Sequence, residues 1–247
     1  AVAVSCGTPC LGRFRVPIPG RVLLYAAEDS PSMVKKRLSG IATARGRTLY
    51  SCDIQVITAD QIRLDLLSDI DALDETVTML KPKLLILDPF VRLHRIDENS
   101  STDVASLLAN LRNMQRRHNV AILVVHHAKK NGGGTRPGQA LRGSSDFHAW
   151  HDSMLYMRRD GNDKLSLSVE HRAAPSQSGI PLALTGDDDA LALQIQEHIS
   201  TASRKPSHTE TIQEILAAQT SPMSLIALRQ ACGLRTATLC EILKSLI

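Results

Sequence analysis

Aromatic side chains are scarce in this chain of 247 residues: three Phe, three Tyr and one Trp, 3% of the total. So thin a supply excludes the stacking platforms by which many single-strand binders grip bases, and leaves phosphate contact as the mode for any nucleic-acid partner. No run approaches the roughly 18 apolar residues that a membrane-spanning helix needs, so no membrane partner is expected. The opening residues, AVAVSC, lack the basic lead and long apolar core of a secretory signal. They also lack an initiator methionine, from which we expect the chain to begin inside a longer gene product. The five cysteines, Cys6, Cys10, Cys52, Cys232 and Cys240, are odd in number and scattered. They do not read as a disulfide framework, and a reducing cytoplasm is the expected setting. Cys6 and Cys10 have no second Cys or His pair at a suitable spacing, so no zinc site is expected. A net charge of +4 permits a nucleic-acid partner without requiring one.

What is present is an alternation of apolar runs with helical patterns. Residues 21–27 (RVLLYAA) follow the turn signal PIPG and read as a buried strand. Ser30 and Pro31 then suit an N-cap and a first helical turn, opening a helix over residues 32–44. Residues 53–58 read as a strand, 72–80 as a helix and 83–88 as a strand. Residues 103–117 place Val104, Leu107, Leu108, Leu111 and Met114 on one stripe, a helix that Ser101 or Thr102 can cap. Residues 121–125 form a second all-apolar strand. Such alternation implies an α/β fold with a mainly parallel sheet flanked by helices. Residues 153–158, 164–170, 181–185 and 190–196 are short and separated by turn residues, so the sheet is expected to finish in antiparallel strands. A polar stretch at 200–208 reads as a linker between a core, 1–199, and an incomplete helix-turn-helix (winged-helix-like) tail, 209–247. In that tail residues 235–244 are the expected recognition helix, and the chain stops before a wing.

The run KLLILDPF at residues 83–90 carries the chemistry. A short Leu/Ile run is a strand buried on both faces, and a carboxylate at its C-terminal end lies where parallel sheets bind ligands. That is the layout of a Walker B strand, whose Asp88 would hold Mg²⁺ through water. Its usual partner, the phosphate loop G-x-x-x-x-G-K-[ST], occurs nowhere in the sequence. Two companions end other strands: Glu28, which could polarise an attacking water, and His126 or His127, whose ring N–H could bond a terminal phosphate. Each has a plainer reading. Glu28 and Asp29 could be a helix-capping pair, Asp88-Pro89 a turn, and the histidines a solvated or satisfied pair. Three polar ends at one sheet edge favour the functional reading.

The ordered set YAAED (25–29), LLILDPF (84–90), RLHRIDENS (92–100), ILVVHHAKK (122–130) and ALRGSSDFHAW (140–150) resembles the RecA-type P-loop ATPases related to the plasmid RepA replicative helicase. The likeness covers roughly residues 1–196. It implies that Glu28 is the catalytic glutamate, Asp88 the Walker B aspartate and His127 the sensor coupling phosphate to a DNA-facing loop, with His126 beside it at the nucleotide. It further implies a hexameric ring of identical subunits, with ATP and Mg²⁺ between them and single-stranded DNA in the channel. The opening AVAVSCGTPCLGRF resembles the family segment that follows the phosphate-loop helix. The loop itself is absent, so this polypeptide is expected neither to bind ATP tightly nor to hydrolyse it. Lys129, Lys130 and Arg136, in a glycine-rich basic loop, are the expected DNA contacts, with a solvated surface loop as the alternative. Arg142 is a candidate arginine finger, with Arg158 and Arg159 as competitors and a structural ion pair as the alternative for all three. Two other readings stay open: a DNA-binding or adaptor protein that kept the scaffold without hydrolysis, and a RecA-like regulator.

Overall fold

The computed structural model describes residues 1–127, 145–159, 164–187, 190–196, 208–217 and 221–246. The chain divides into two compact units, Ala1–Gln196 and Glu197–Ile247. In the first, β1 (Val22–Ala26), β2 (Ile54–Val56), β3 (Leu84–Asp88) and β4 (Ala121–Val124) form a sheet in the order β2-β1-β3-β4. All pairings are parallel, with Ala26 opposite Asp88 and Leu87 opposite Val124.

The two central strands are apolar at nearly every position because both their faces are covered. Leu23, Tyr25, Leu85 and Leu87 pack on one side with Leu73 and Val77 of α3 (Leu67–Leu80) and Val104, Leu107, Leu108 and Leu111 of α4 (Ser101–His118). Val22, Leu24 and Ile86 pack on the other with Val2 of α1 (Val2–Cys6) and Val34, Leu38 and Ala42 of α2 (Pro31–Thr43). Strand β4 departs from the fully buried strand its composition suggests. Among the described residues it pairs only with β3, so Ala121 and Leu123 are exposed.

Local signals set the helix ends. Ser30 caps α2, its hydroxyl accepting from the Met33 N–H, with Pro31 at the first position. Ser100, rather than Ser101 or Thr102, caps α4 by accepting from the Asp103 N–H. Helix α3 starts at Leu67, five positions ahead of the sequence expectation, without a side-chain cap. Asp69 in its first turn suits the positive end of the helix dipole and accepts from the Arg63 N–H at 2.8 Å. Two helices end on non-glycine residues in the left-handed region, α3 at Lys81 (φ 48°) and α4 at Asn119 (φ 50°).

Strands β5 (Ser153–Arg159), β6 (Leu165–His171), β7 (Gln177–Thr185) and β8 (Ala192–Ile195) make a separate antiparallel sheet in sequence order. Leu167, Val169, Ile180 and Leu182 are its core, with Leu11 and Phe14 packed on them. Leu155 and Met157, paired with Val169 and Leu167 on the outer strand, are left 57% and 53% exposed. A five-residue helix, α5 (Asp146–Trp150), precedes this sheet.

The second unit contains α6 (His208–Ala217), α7 (Leu225–Cys232) and α8 (Thr236–Leu246) around Ile212, Leu228 and Leu239. Ser224 caps α7, and Gly233 (φ 66°) ends it, giving the tight joint a helix-turn-helix needs. No strand lies among the described residues of this unit.

Candidate nucleotide-binding edge

Parallel strands bring their C-terminal ends to one side, and the register here aligns them closely. The Ala27 N–H donates to the Asp88 carbonyl at 2.7 Å, and the Val125 N–H donates to the Leu87 carbonyl at 2.9 Å. Glu28, Asp88 and His127 therefore leave the sheet at the same edge. The Asp88-Pro89 peptide is cis, and a 3₁₀ turn, Phe90–Arg92, follows. The turn is tied back to β4 by the Phe90 N–H, which donates to the Val125 carbonyl at 2.8 Å.

Charge at this edge is unbalanced. Burial pushes the Asp88 carboxyl above its ordinary value of 3.8, and the negative charges of Asp29 and Glu28 push it further, while Arg37 and His127 pull it down in part. Glu28 accepts from Arg92 Nε at 2.7 Å, an exposed pair, and Asp29 pairs with Arg37. The helix cap is Ser30, so Glu28 and Asp29 are bound to arginines instead of capping α2.

The two histidines diverge. His127 is exposed and close enough to Asp88 to act on it electrostatically. His126 is turned into the core, its side chain only 8% exposed. Its ring meets Phe147 edge-on at 4.7 Å, and its Nδ1–H donates to the His127 carbonyl at 3.0 Å. That bond leaves Nε2 facing Glu98 Oε1 at 3.6 Å, while Nε2 of the buried His94 approaches the same oxygen at 3.4 Å. Burial lowers the His94 pKa, favouring its neutral ring. Glu98 thus sits between two buried imidazoles beneath the edge.

Sequence reasoning missed Arg92, Arg37, His94 and Glu98. A search for cations able to balance Glu28 and Asp29 would have directed attention to the arginines; nothing local marks the Glu98 cluster. Lys129, Lys130, Arg136 and Arg142 lie outside the described residues.

Asp88, its pKa raised by burial and by the charges of Asp29 and Glu28, is a carboxylate that a divalent cation would relieve, although the three carboxylates do not themselves close into one metal-binding group. They do not fit a polyphosphate unaided, since they repel it and the sequence contains no phosphate loop to supply N–H donors.

A parallel sheet with acidic strand ends, followed in the chain by a separate antiparallel sheet, is the RecA-like fold. Residues 1–133, more than half of the sequence, match the AAA domain family, and the chain belongs to it. Among solved structures it is similar to one described as "The Structure Of A DnaB-Like Replicative Helicase And Its Interactions With Primase". The TM-score is 0.55 at 15% identity, over 70% of this chain and 50% of that one. The chain thus spans about half the length of that helicase. No curated protein matches it in sequence.

Proposed function

We propose that the chain is the core of a DNA helicase or related replication ATPase of the plasmid RepA type. Such an enzyme hydrolyses Mg-ATP between the subunits of a homo-hexameric cytoplasmic ring and moves on single-stranded DNA. The observation that carries this reading is the convergence of Glu28, Asp88 and His127 at the C-terminal ends of β1, β3 and β4. In it Asp88 would hold Mg²⁺, Glu28 would polarise the attacking water, and the exposed His127, rather than the buried His126, would contact the terminal phosphate. Bound Mg²⁺ would supply charge neutralisation between carboxylate and phosphate. The pair Arg92–Glu28 holds the glutamate in place until the nucleotide arrives. Lys129, Lys130 and Arg136 are assigned to the DNA backbone, and Arg142 to a neighbour's phosphates.

The polypeptide of this sequence is proposed to be inactive without a phosphate loop. Calorimetric titration with Mg-ATP is expected to show no binding in the micromolar range, and such binding would overturn that view. In a version extended by its upstream coding sequence, Glu28→Gln is expected to lower DNA-dependent ATP turnover by about 10²–10⁴-fold. Unchanged turnover in both Glu28→Gln and Asp88→Ala would remove the site assignment. The coding sequence upstream of Ala1 discriminates a second reading, a DNA-binding or adaptor scaffold without hydrolysis: G-x-x-x-x-G-K-[ST] there favours the motor, and a sequence without it there favours the scaffold. DNA binding with no ATP turnover in the extended version would select it.

A further inference from the structure

We propose that Cys6 and Cys52 form a modification site: a thiol pair that a hydroperoxide converts to an intramolecular disulfide. The inference is independent of the ATPase reading. The two residues are 46 positions apart, yet their sulfurs lie 2.8 Å from each other, and both thiols are free. Two well-packed elements hold them there. Cys6 is the last residue of α1, and Cys52 follows the 3₁₀ turn Leu49–Ser51 that leads into β2. Both belong to the apolar cluster that joins α1 to β1 and α2 through Val2, Leu24 and Leu38.

The surroundings select thiol–thiol chemistry. Nearby polar groups include the Ser5 hydroxyl, 3.6 Å from the Cys6 sulfur, the Ser51 carbonyl, which accepts from the Cys6 thiol at 3.9 Å, and the Thr48 carbonyl, which accepts from the Cys52 thiol at 3.5 Å. Among the described residues no third Cys, His or carboxylate completes a metal-binding group with this pair. A lone dithiol with no third ligand is a poor metal site and a good disulfide precursor. The roles of the two differ. Cys52 is buried, and desolvation raises its pKa, so the half-buried Cys6 is the thiol that meets an oxidant.

Cys6, as the thiolate, attacks one oxygen of the hydroperoxide; the O–O bond breaks, an alcohol leaves after taking a proton, and Cys6 becomes a sulfenic acid. The Cys52 sulfur then attacks the Cys6 sulfur and expels hydroxide, which takes the Cys52 proton and departs as water. Two thiols and one hydroperoxide yield one disulfide, one alcohol and one water, with two electrons passing from sulfur to peroxide. The product joins α1 to the entry of β2 and encloses β1 and α2 in a covalent loop. In a reducing compartment it would be transient and reversed by small thiols.

The test exposes the reduced full chain to limiting hydrogen peroxide, alkylates the remaining thiols and maps the peptides by mass spectrometry. Cys6 and Cys52 are expected to lose alkylation together, in one cross-linked peptide lighter by two hydrogens. Cys10, Cys232 and Cys240 should stay alkylated, with no disulfide between chains. Dithiothreitol should restore both thiols, and C52S should leave Cys6 as a sulfenic acid that dimedone labels. The oxidised chain is expected to melt about 5–10 °C higher than the reduced one, a shift that C6S abolishes. Oxidation of exposed Cys10 while Cys6 and Cys52 remain alkylated would overturn the proposal, as would a cross-link between two chains. C6S changes the less buried partner, so it keeps the melting comparison decisive if C52S fails to fold.

Discussion

The two sheets of the first unit differ in composition and in cover: β1, β3 and β4 are apolar at nearly every position, whereas β5, β6 and β7 mix apolar with polar residues. The parallel sheet has helices on both faces, α3 and α4 against one and α1 and α2 against the other. The antiparallel sheet has Leu11 and Phe14 over its core and leaves Leu155 and Met157 largely in solvent. Direction separates them as well. Parallel strands deliver their C-terminal ends to one edge, so polar residues following β1, β3 and β4 meet there. Antiparallel strands alternate, and residues at successive strand ends are sent to opposite sides. A shared site is thus a by-product of parallel order, and double coverage lets its strand carry a carboxylate without losing its anchorage.

The strongest way to break this comparison is to truncate one large apolar side chain at each sheet, Phe90 in the turn that follows β3 and Leu155 in β5. Phe90 is fully buried and stacks edge-on with Phe147 at 5.4 Å. Phe90→Ala is expected to cost about 3–5 kcal/mol in urea unfolding, whereas Leu155→Ala should stay within about 0.5 kcal/mol. Equal losses would show that both sheets are anchored alike. A finer cut separates neighbours: His126→Ala, which empties a buried ring site, should cost about 1–3 kcal/mol, and His127→Ala about 0.5 kcal/mol or less. Similar losses from the two would contradict the division between supporting and exposed ring.

The smallest effects distinguish carboxylates by the sign of their pH dependence. Arg63 donates to Asp65 and holds its pKa down at about 2. A depressed acid contributes stability above its ordinary 3.8, which is lost as pH falls toward about 2. Asp65→Asn should therefore lower the urea midpoint at pH 7, with the difference disappearing across that window. Asp88 is shifted the other way, so its ionised form weakens the fold at pH 7 and the penalty is relieved as pH falls through its raised value. Asp88→Asn should raise the midpoint at pH 7, and Mg²⁺ should stabilise only the parent chain. Midpoints moving in the same direction at pH 7 would refute the contrast.

Much of the fold was legible because its signals are local. The apolar runs of β1 and β3, the Ser30-Pro31 start of α2 and the stripe of α4 each specify an element within a dozen residues. Strand β7 begins at Gln177 instead of 181 because Gln177, Ser178 and Gly179 carry no apolar pattern; only pairing with β6 makes them strand. Helices α1 and α5, each of five residues, are too short to show a period. At the acidic edge, Glu28, Asp88 and the histidines could be grouped from strand order alone. The arginines could not, since the pair Arg92–Glu28 joins residues 64 positions apart. Nor could the fates of His126 and His127 be told apart, because that depends on which ring the aromatic cluster admits.

The left-handed residues Lys81 and Asn119 bear on how the chain assembles. Each reverses direction at the end of a helix, and β3 starts three residues after the first while β4 starts two after the second. The pairs α3–β3 and α4–β4 are therefore hairpin-like units with little loop entropy to lose, units that a nascent chain can close before its distant strands exist. The folding nucleus is expected to form around Val77, Leu85 and Leu111, with the antiparallel sheet joining later.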